Sequence, residues 1–147
     1  FGVKRITGDD YIIHPLNVCD ILADSRNEFY LRSDIMKIHE MRLHDDPYQK
    51  IKSGLKTIEM RLYDDKRKLI EVGDIIEFEN RVTLEKIRTK VVNLFLYNSF
   101  SELYEKHDKV SLGYNKEDEA NPSDMEQYYS KEEQNMDGVV GINITLI

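Results

Sequence analysis

Within the segment 56–63, residues 57–62 alternate strictly between polar and apolar side chains, and this segment constrains the fold more than any other. Successive side chains of a strand point to opposite faces, so the apolar and the polar residues separate onto two faces. The apolar face carries Ile58, Met60 and Leu62, and the polar face carries Thr57, Glu59 and Arg61. The pattern predicts a strand that buries one face in a core and holds charged groups on the other.

The remaining residues from Met36 onward are typical of short strands and helices. An acidic pair before Pro47 favours a helix start, and the following Ser53 and Gly54 favour its end. The apolar segment 139–147 predicts a central strand that closes a barrel. Other strands are predicted at residues 37–43, 75–78 and 86–97, and other helices at residues 101–107 and from Asn121 through Tyr129. Residues 113–120 are polar and predict a loop.

The composition indicates one globular domain in a reducing compartment. Of the 147 residues, 40% are hydrophobic and 33% are charged, which suffices for one core with a heavily ionised surface. Cys19 is the single cysteine, so neither an internal disulfide nor a cysteine-based zinc site can form. No apolar run approaches the roughly 20 residues of a membrane helix. We therefore expect a cytoplasmic protein without membrane contact.

Charge is distributed unevenly along this acidic chain. The net charge is −7 at pH 7, and such a protein is repelled by polyanions unless its cations gather on one face. Carboxylates are concentrated in residues 117–133. Cations are concentrated at Lys50, Lys52, Lys56, Arg61, Lys66, Arg67 and Lys68. The distribution argues against a general nucleic-acid coat protein and predicts a local basic patch.

The first 35 residues differ from the rest. Apolar positions at helical spacing follow Pro15, which suits a helix start, so a short helix is predicted at residues 14–22. Residues 8–18 also resemble a piece of the HD-type phosphohydrolase domains of alarmone hydrolases. Because metal ligation needs several converging ligands, we assign this segment no activity. We interpret residues 1–35 as an N-terminal extension, a helical arm or a fragment of another domain, and residues 36–147 as the functional domain.

A spaced motif begins at Gly54 and continues through Lys56, Glu59 and Arg61. It resembles the G-x-K-x-x-E-x-R signature of the ASCH family, whose members are relatives of the PUA RNA-binding barrels. Residues 48–53, 72–78, 128–133 and 139–142 fit the same family in order. The resemblance implies an α+β fold, a small PUA-like β-barrel of about five to six strands with short helices packed around it.

The charged residues of the motif are expected to form a ligand-binding cleft. A helix that ends at Gly54 delivers Lys56 to the entrance of the strand, where Glu59 and Arg61 share one face. A cleft with both signs of charge suits a polar ligand, such as a base edge with a phosphate. The alternative is an ordinary Glu59–Arg61 ion pair on a solvated strand, which contributes little.

Two further residues complete the predicted ligand-binding set of Lys56, Thr57, Glu59, Arg61 and Tyr128. Thr57 shares the polar face and could donate a hydroxyl hydrogen bond. Tyrosines offer stacking surfaces for bases, and Tyr128 and its neighbour cannot both face inward on one helix. None of the four histidines is spaced as a metal-binding pair, so we expect neither a metal nor a cofactor.

Three functions fit these features. The first is an RNA- or nucleotide-binding domain that recognises single-stranded RNA or a modified nucleoside. The second is a small hydrolase, because some relatives are similar to ribonucleases or to acetylcytidine amidohydrolases; Lys56 and Glu59 would then be catalytic. Glu59 occupies the position of the amidohydrolase's nucleophilic Thr, which argues against that chemistry. The third is a protein-interaction module of the coactivator type, whose partner would contact the acidic C-terminal region.

Overall fold

The computed structural model describes residues 36–147 and, for the backbone only, residues 13–15. The strands are β1 (Ile13–Pro15), β2 (Lys37–Leu43), β3 (Ile58–Leu62), β4 (Ile75–Asn80), β5 (Lys86–Tyr97) and β6 (Val139–Leu146). The α-helices are α1 (Asp45–Lys52), α2 (Phe100–Lys106), α3 (Lys109–Leu112) and α4 (Lys131–Asp137), and two 3₁₀ segments cover Arg67–Leu69 and Pro122–Gln127.

The strands form one sheet in the order β1-β2-β4-β5-β6-β3. β2 and β4 run parallel, and the other neighbouring pairs are antiparallel. Strands β2 to β6 curl into a half-barrel, and β1 pairs with residues 37–39 of β2. The predicted α+β barrel is confirmed, and β6 lies centrally between β5 and β3 as expected.

Two apolar clusters flank the curled sheet. One contains side chains of β2, α1, β4 and β6, such as Tyr48 and Phe78. The other contains the apolar face of β3 together with the helices, and its members include Ile58, Met60 and Leu103. The helices therefore cover the apolar face of β3, and the face with Glu59 is turned the other way.

Several predicted boundaries of strands and helices are wrong, because the backbone hydrogen bonds of these residues do not follow the predicted elements. Lys56 and Thr57 precede β3, since their amides donate to the carbonyls of Lys50 and Ser111 (both 3.0 Å). The segment after Asn121 is a 3₁₀ turn that ends before Tyr128 rather than a long helix. Residues 13–15 are extended, so the predicted N-terminal helix does not include them, and its remainder lies outside the described residues.

Candidate functional site: a cationic cleft beside β3

The candidate site lies where the half-barrel is open, between β3 and the C-terminal part of β2. β1 covers only the first three residues of β2. The side chain of Arg61 on β3 crosses to β2, where its Nη2 donates to the carbonyl oxygen of Arg42 at 3.3 Å. The side chain of Arg61 thus connects β3 and β2, which are not hydrogen-bonded neighbours in the described sheet.

Glu59 lies at the centre of the site and binds two cations. Its Oε1 is 3.1 Å from Nζ of Lys56, and its Oε2 accepts a 2.7 Å hydrogen bond from Nε of Arg61. Glu59 is only 4% exposed and Lys56 only 8%. These three residues, called the cleft triad below, are therefore largely buried, and the alternative of a solvated surface ion pair is wrong.

The electrostatics of the cleft triad favour a charged carboxylate. Burial alone would raise the pKa of Glu59. The charges of Lys56 and Arg61, and the hydrogen bonds that both donate, outweigh burial and hold the pKa of Glu59 below its usual value. At neutral pH two cations thus surround one anion, and the cleft triad carries a net charge of +1.

Lys56 is held in place by the turn that follows α3. Gly113 has a φ of 110°, and a Cβ built at that position would lie 3.1 Å from Cδ of Lys56. Nζ of Lys50 on α1 donates to the carbonyl oxygen of Gly113 at 2.7 Å, which ties this turn to the helix. A glycine is needed here both for the left-handed backbone and for the close approach of Lys56.

A cavity of about 490 Å³ opens beside the cleft triad. One wall comes from the end of β2 and from the β4–β5 hairpin, and another comes from the residues at the end of the second 3₁₀ segment. The described residues of its lining include Arg42, His44, Lys56, Glu59, Arg61, Arg81, Tyr128 and Tyr129. Among the described residues of this lining, four cations accompany one carboxylate, so this part of the lining carries net positive charge within an acidic protein.

The structure brings four of the five predicted site residues together. Lys56, Glu59, Arg61 and Tyr128 all line the cavity, whereas Thr57 is not part of its lining. The side chain of Tyr128 is 55% exposed. Both neighbouring tyrosines reach the cavity, because the turn that follows the 3₁₀ segment does not impose opposite helical faces on them.

Tyr129 has a different role from its neighbour. Its ring stacks on Phe100, with centroids 5.9 Å apart, and it packs against the helix-side apolar cluster. Burial raises the pKa of Tyr129. Tyr129 therefore forms part of the cavity's fixed wall, and Tyr128 presents the accessible ring.

Sequence reasoning missed Arg42 and Arg81. They become neighbours because β2 and β4 pair in parallel, with Leu43 opposite Asn80. The backbone amide of Arg81 donates to the carbonyl oxygen of Leu43 at 2.8 Å. The one signal available was an arginine at the end of each of two strands, and it becomes informative only when the pairing of those strands is known.

The cations of residues 50–68 do not form the expected single patch on this cleft. Only two of the seven, Lys56 and Arg61, line the cavity. Others are engaged with acidic side chains: Lys50 with Asp46, Lys52 with Glu85 and Arg67 with Asp64. Closeness in sequence did not produce a shared surface, since these residues lie on α1, just before or within β3, and just before or within a 3₁₀ turn.

The histidines of the described region have separate environments. His39 is fully buried, with Nε2 2.8 Å from Oδ2 of Asp74. His107 lies 2.8 Å from the hydroxyl of Tyr97, and the exposed His44 belongs to the cavity lining. Among the described residues, no group of His, Cys, Asp and Glu side chains could hold a metal ion. Within the same residues, no helix is both long and apolar enough to cross a bilayer.

Comparisons with known proteins agree with this fold. The sequence profile described as "ASCH domain" matches residues 41–147. The crystal structure of the hypothetical protein PH0355 is similar, with 35% identity, a TM-score of 0.63, and coverage of 74% of this chain and 97% of that one. The solution NMR structure of protein PF0455 from Pyrococcus furiosus has 31% identity, a TM-score of 0.60, and coverage of 75% and 97%. A search of curated proteins found no significant match. The profile spans well over half of the chain, and on this basis the protein belongs to the ASCH domain family.

Proposed function

We propose that the cleft binds RNA or a nucleotide and recognises single-stranded RNA or a modified nucleoside. The observation that carries this proposal is the excess of positive charge in a concave lining. Of the residues that the structure describes, four cations and one carboxylate border the cavity, although the whole chain carries a net charge of −7. An acidic protein can attract a polyanion only through such a local concentration of cations.

The size of the cavity and its accessible tyrosine support the same function. Small-molecule sites usually measure about 300–1,000 Å³, and this cavity of about 490 Å³ falls within that range. Tyr128 lies at its border and is more than half exposed. Proteins that recognise unpaired bases commonly stack them on exposed aromatic rings.

The arrangement of Glu59 favours binding over hydrolysis. A general base needs a carboxylate with free acceptor capacity and a pKa near the working pH. Both oxygens of Glu59 are engaged by cations, and its pKa is lowered. A hydrolase would have to draw its base from another residue. Incubation with labelled RNA and with acetylated cytidine tests this alternative, which requires turnover above that of a Lys56→Ala control.

Fluorescence anisotropy with labelled single-stranded RNA, measured over a range of salt concentrations, tests binding. We expect an affinity that falls with salt and that Tyr128→Ala weakens by about tenfold, because stacking of one base contributes roughly 1–3 kcal/mol. The matched control is Leu96→Ala, since Leu96 is 53% exposed and lies outside the cleft.

Two results would contradict the proposal. One is an RNA affinity that neither Tyr128→Ala nor the double variant Lys56→Ala with Arg61→Ala changes, in samples whose circular dichroism shows intact folding. The other is an equal loss of affinity in the Leu96→Ala control, which would indicate a general surface effect.

A further inference from the structure

We propose that Tyr114 is a positioning residue, which fixes the Tyr128 side of the cleft relative to the Lys56 side. This inference rests on the proposed function and makes it more specific, because it names a residue beside the cleft on which RNA binding depends. Tyr114 is not among the described residues of the cavity lining. It would therefore act on the ligand through other residues.

Tyr114 directly follows the turn that holds Lys56. Gly113 of this turn packs against the side chain of Lys56, since a Cβ at Gly113 would lie 3.1 Å from Cδ and 3.4 Å from Nζ of the lysine. The backbone amide of Tyr114 donates to the carbonyl oxygen of Lys109 at 3.0 Å, so Tyr114 belongs to the turn that ends α3. A displacement of this turn would displace Lys56.

The Tyr128 side of the cleft is built on the second 3₁₀ segment, which contains Asp124. The backbone amides of Tyr128 and Tyr129 donate to the carbonyl oxygen of Met125 at 3.1 Å and 3.0 Å. The carbonyl oxygen of Asp124 accepts a 2.8 Å hydrogen bond from Nε2 of Gln127. The position of Tyr128 thus follows that of Asp124 through the hydrogen bonds of one turn.

The hydroxyl of Tyr114 joins the two sides. It donates to Oδ2 of Asp124 at 2.7 Å, and the hydroxyl of Tyr104 on α2 lies 2.8 Å from its oxygen. The carbonyl oxygen of Asn121 is a more distant acceptor at 3.4 Å. Along the chain, the two sides are connected by residues 115–121, none of which is buried. Burial, together with Tyr104 and Asp124, raises the pKa of Tyr114, so the hydroxyl keeps the proton that it donates.

Apolar packing does not by itself set the position of the 3₁₀ segment. Met125, Tyr104 and Tyr114 all pack in the helix-side apolar cluster. Such contacts have no preferred direction, whereas a hydrogen bond fixes both the distance and the angle between two groups. The rings of Tyr104 and Tyr114 meet edge-on, with centroids 5.9 Å apart, and phenylalanine would keep this contact. Removal of the hydroxyl alone therefore separates positioning from packing.

Fluorescence anisotropy of the full chain with a labelled single-stranded RNA of mixed sequence tests this inference. We expect Tyr114→Phe to weaken binding about fivefold, which is the effect of one hydrogen bond. The matched control is Tyr104→Phe, which also removes a tyrosine hydroxyl but leaves the bond between Tyr114 and Asp124 in place. Its affinity should stay within about twofold of the original. Urea denaturation verifies that both variants fold.

A second pair of variants isolates the hydrogen bond at constant charge. Asp124→Ala and Asp124→Asn remove the same carboxylate, but asparagine keeps an oxygen that can accept from Tyr114. We therefore expect Asp124→Ala to bind the RNA about fivefold more weakly than Asp124→Asn. A general effect of charge on RNA binding would be equal in the two variants.

A double variant tests whether Tyr114 acts through Tyr128. If Tyr114 serves to position Tyr128, its hydroxyl has nothing left to position in Tyr128→Ala. Adding Tyr114→Phe to Tyr128→Ala should then cause no further loss of affinity. A merely structural role of Tyr114 would give losses that add.

Additive losses in the double variant would overturn the inference. Equal affinities of Tyr114→Phe and the unmodified protein, or of Asp124→Ala and Asp124→Asn, would also overturn it, as would an equal loss in Tyr104→Phe. If RNA still binds in a Tyr128-dependent manner in these cases, the proposed function stands without this role of Tyr114. If no RNA binds to the unmodified protein, the proposed function fails and this inference fails with it.

Discussion

Two of the groups of buried ionisable side chains in the described part of the chain have contrasting surroundings. The cleft triad combines two cations and one carboxylate beside a cavity. The second group, the turn pair of His39 and Asp74, lies at the base of β2 and β4, and both residues are at most 3% exposed. Neither member of the turn pair belongs to the cleft lining.

The turn pair uses its hydrogen-bonding capacity within the fold. Asp74 accepts from the amides of Lys37 (3.2 Å) and Glu71 (3.0 Å) in addition to its contact with His39. It thereby joins the turn before β4 to the start of β2. The cleft triad instead keeps a net positive charge next to open space. The comparison teaches that burial of charge does not by itself indicate a binding site, and that the unbalanced charge at a cavity is what supports the proposal for the cleft.

Removal of the central carboxylate should have the largest effect. We expect Glu59→Gln to lower the free energy of unfolding by about 3 kcal/mol, because two buried cations lose their partner. Urea denaturation measures this. The control is Glu77→Gln, whose partners Arg88 and Lys86 are each 54% exposed, and there the loss should stay below about 1 kcal/mol. Similar losses in both variants would mean that the cleft triad behaves as a surface ion pair.

Disruption of the turn pair should affect stability alone. Asp74→Ala leaves the ring of His39 and two backbone amides without their acceptor, so we expect a loss of about 2 kcal/mol in the free energy of unfolding. The affinity for RNA, measured below the unfolding transition, should remain within twofold of the original, a limit of about 0.4 kcal/mol. A larger change in affinity would break the distinction between the two groups.

The two groups should titrate in different pH ranges. Burial lowers the pKa of His39, despite the opposing effect of Asp74. The contribution of His39 to stability is therefore complete above the pKa of 6.5 that it has in the unfolded chain, and it declines as the pH falls below that pKa. Because the pKa of Glu59 is lowered in the folded protein, its contribution to stability is lost only at more acidic pH, below the pKa of 4.5 that it has in the unfolded chain. Lys37 and Glu71 also act on His39, in opposite directions.

Urea denaturation between about pH 7.5 and pH 5.5 tests the first range. His39→Gln should show a smaller decline in the free energy of unfolding than the unmodified protein. Burial also lowers the pKa of His107. His107→Gln is therefore measured in parallel, to separate the contribution of His107 to the decline in the free energy of unfolding. An unchanged decline in His39→Gln would show that the turn pair does not titrate there.

A pair of glycine substitutions should give the smallest and most specific difference. Gly113 and Gly73 both have positive φ angles, 110° and 97°, so alanine at either position should cost about 1 kcal/mol of stability. A Cβ at Gly73 meets nothing within 4 Å, whereas one at Gly113 lies 3.1 Å from Lys56. Only Gly113→Ala should therefore weaken RNA binding in the anisotropy assay. Equal affinities in the two variants would show that the position of Lys56 does not matter for binding.

The local patterns of the sequence determined most of the elements. The alternation in residues 57–62 correctly separated the apolar side chains of β3, which pack under the helices, from Glu59 and Arg61 on the other face. The acidic pair with Pro47 and the glycine at 54 correctly delimited α1. Such patterns depend on covalent geometry and on neighbours a few residues away, and these are present in any single segment.

Only the tertiary structure decided which of these residues meet. The parallel register of β2 and β4 placed Arg42 beside Arg81, and the burial of Glu59 depended on Lys56 and Arg61 closing over it. The cations of residues 50–68, adjacent in sequence, separated onto different elements. The physical reason is that strand pairing and burial depend on contacts between segments far apart in the chain, whose relative placement no local periodicity specifies.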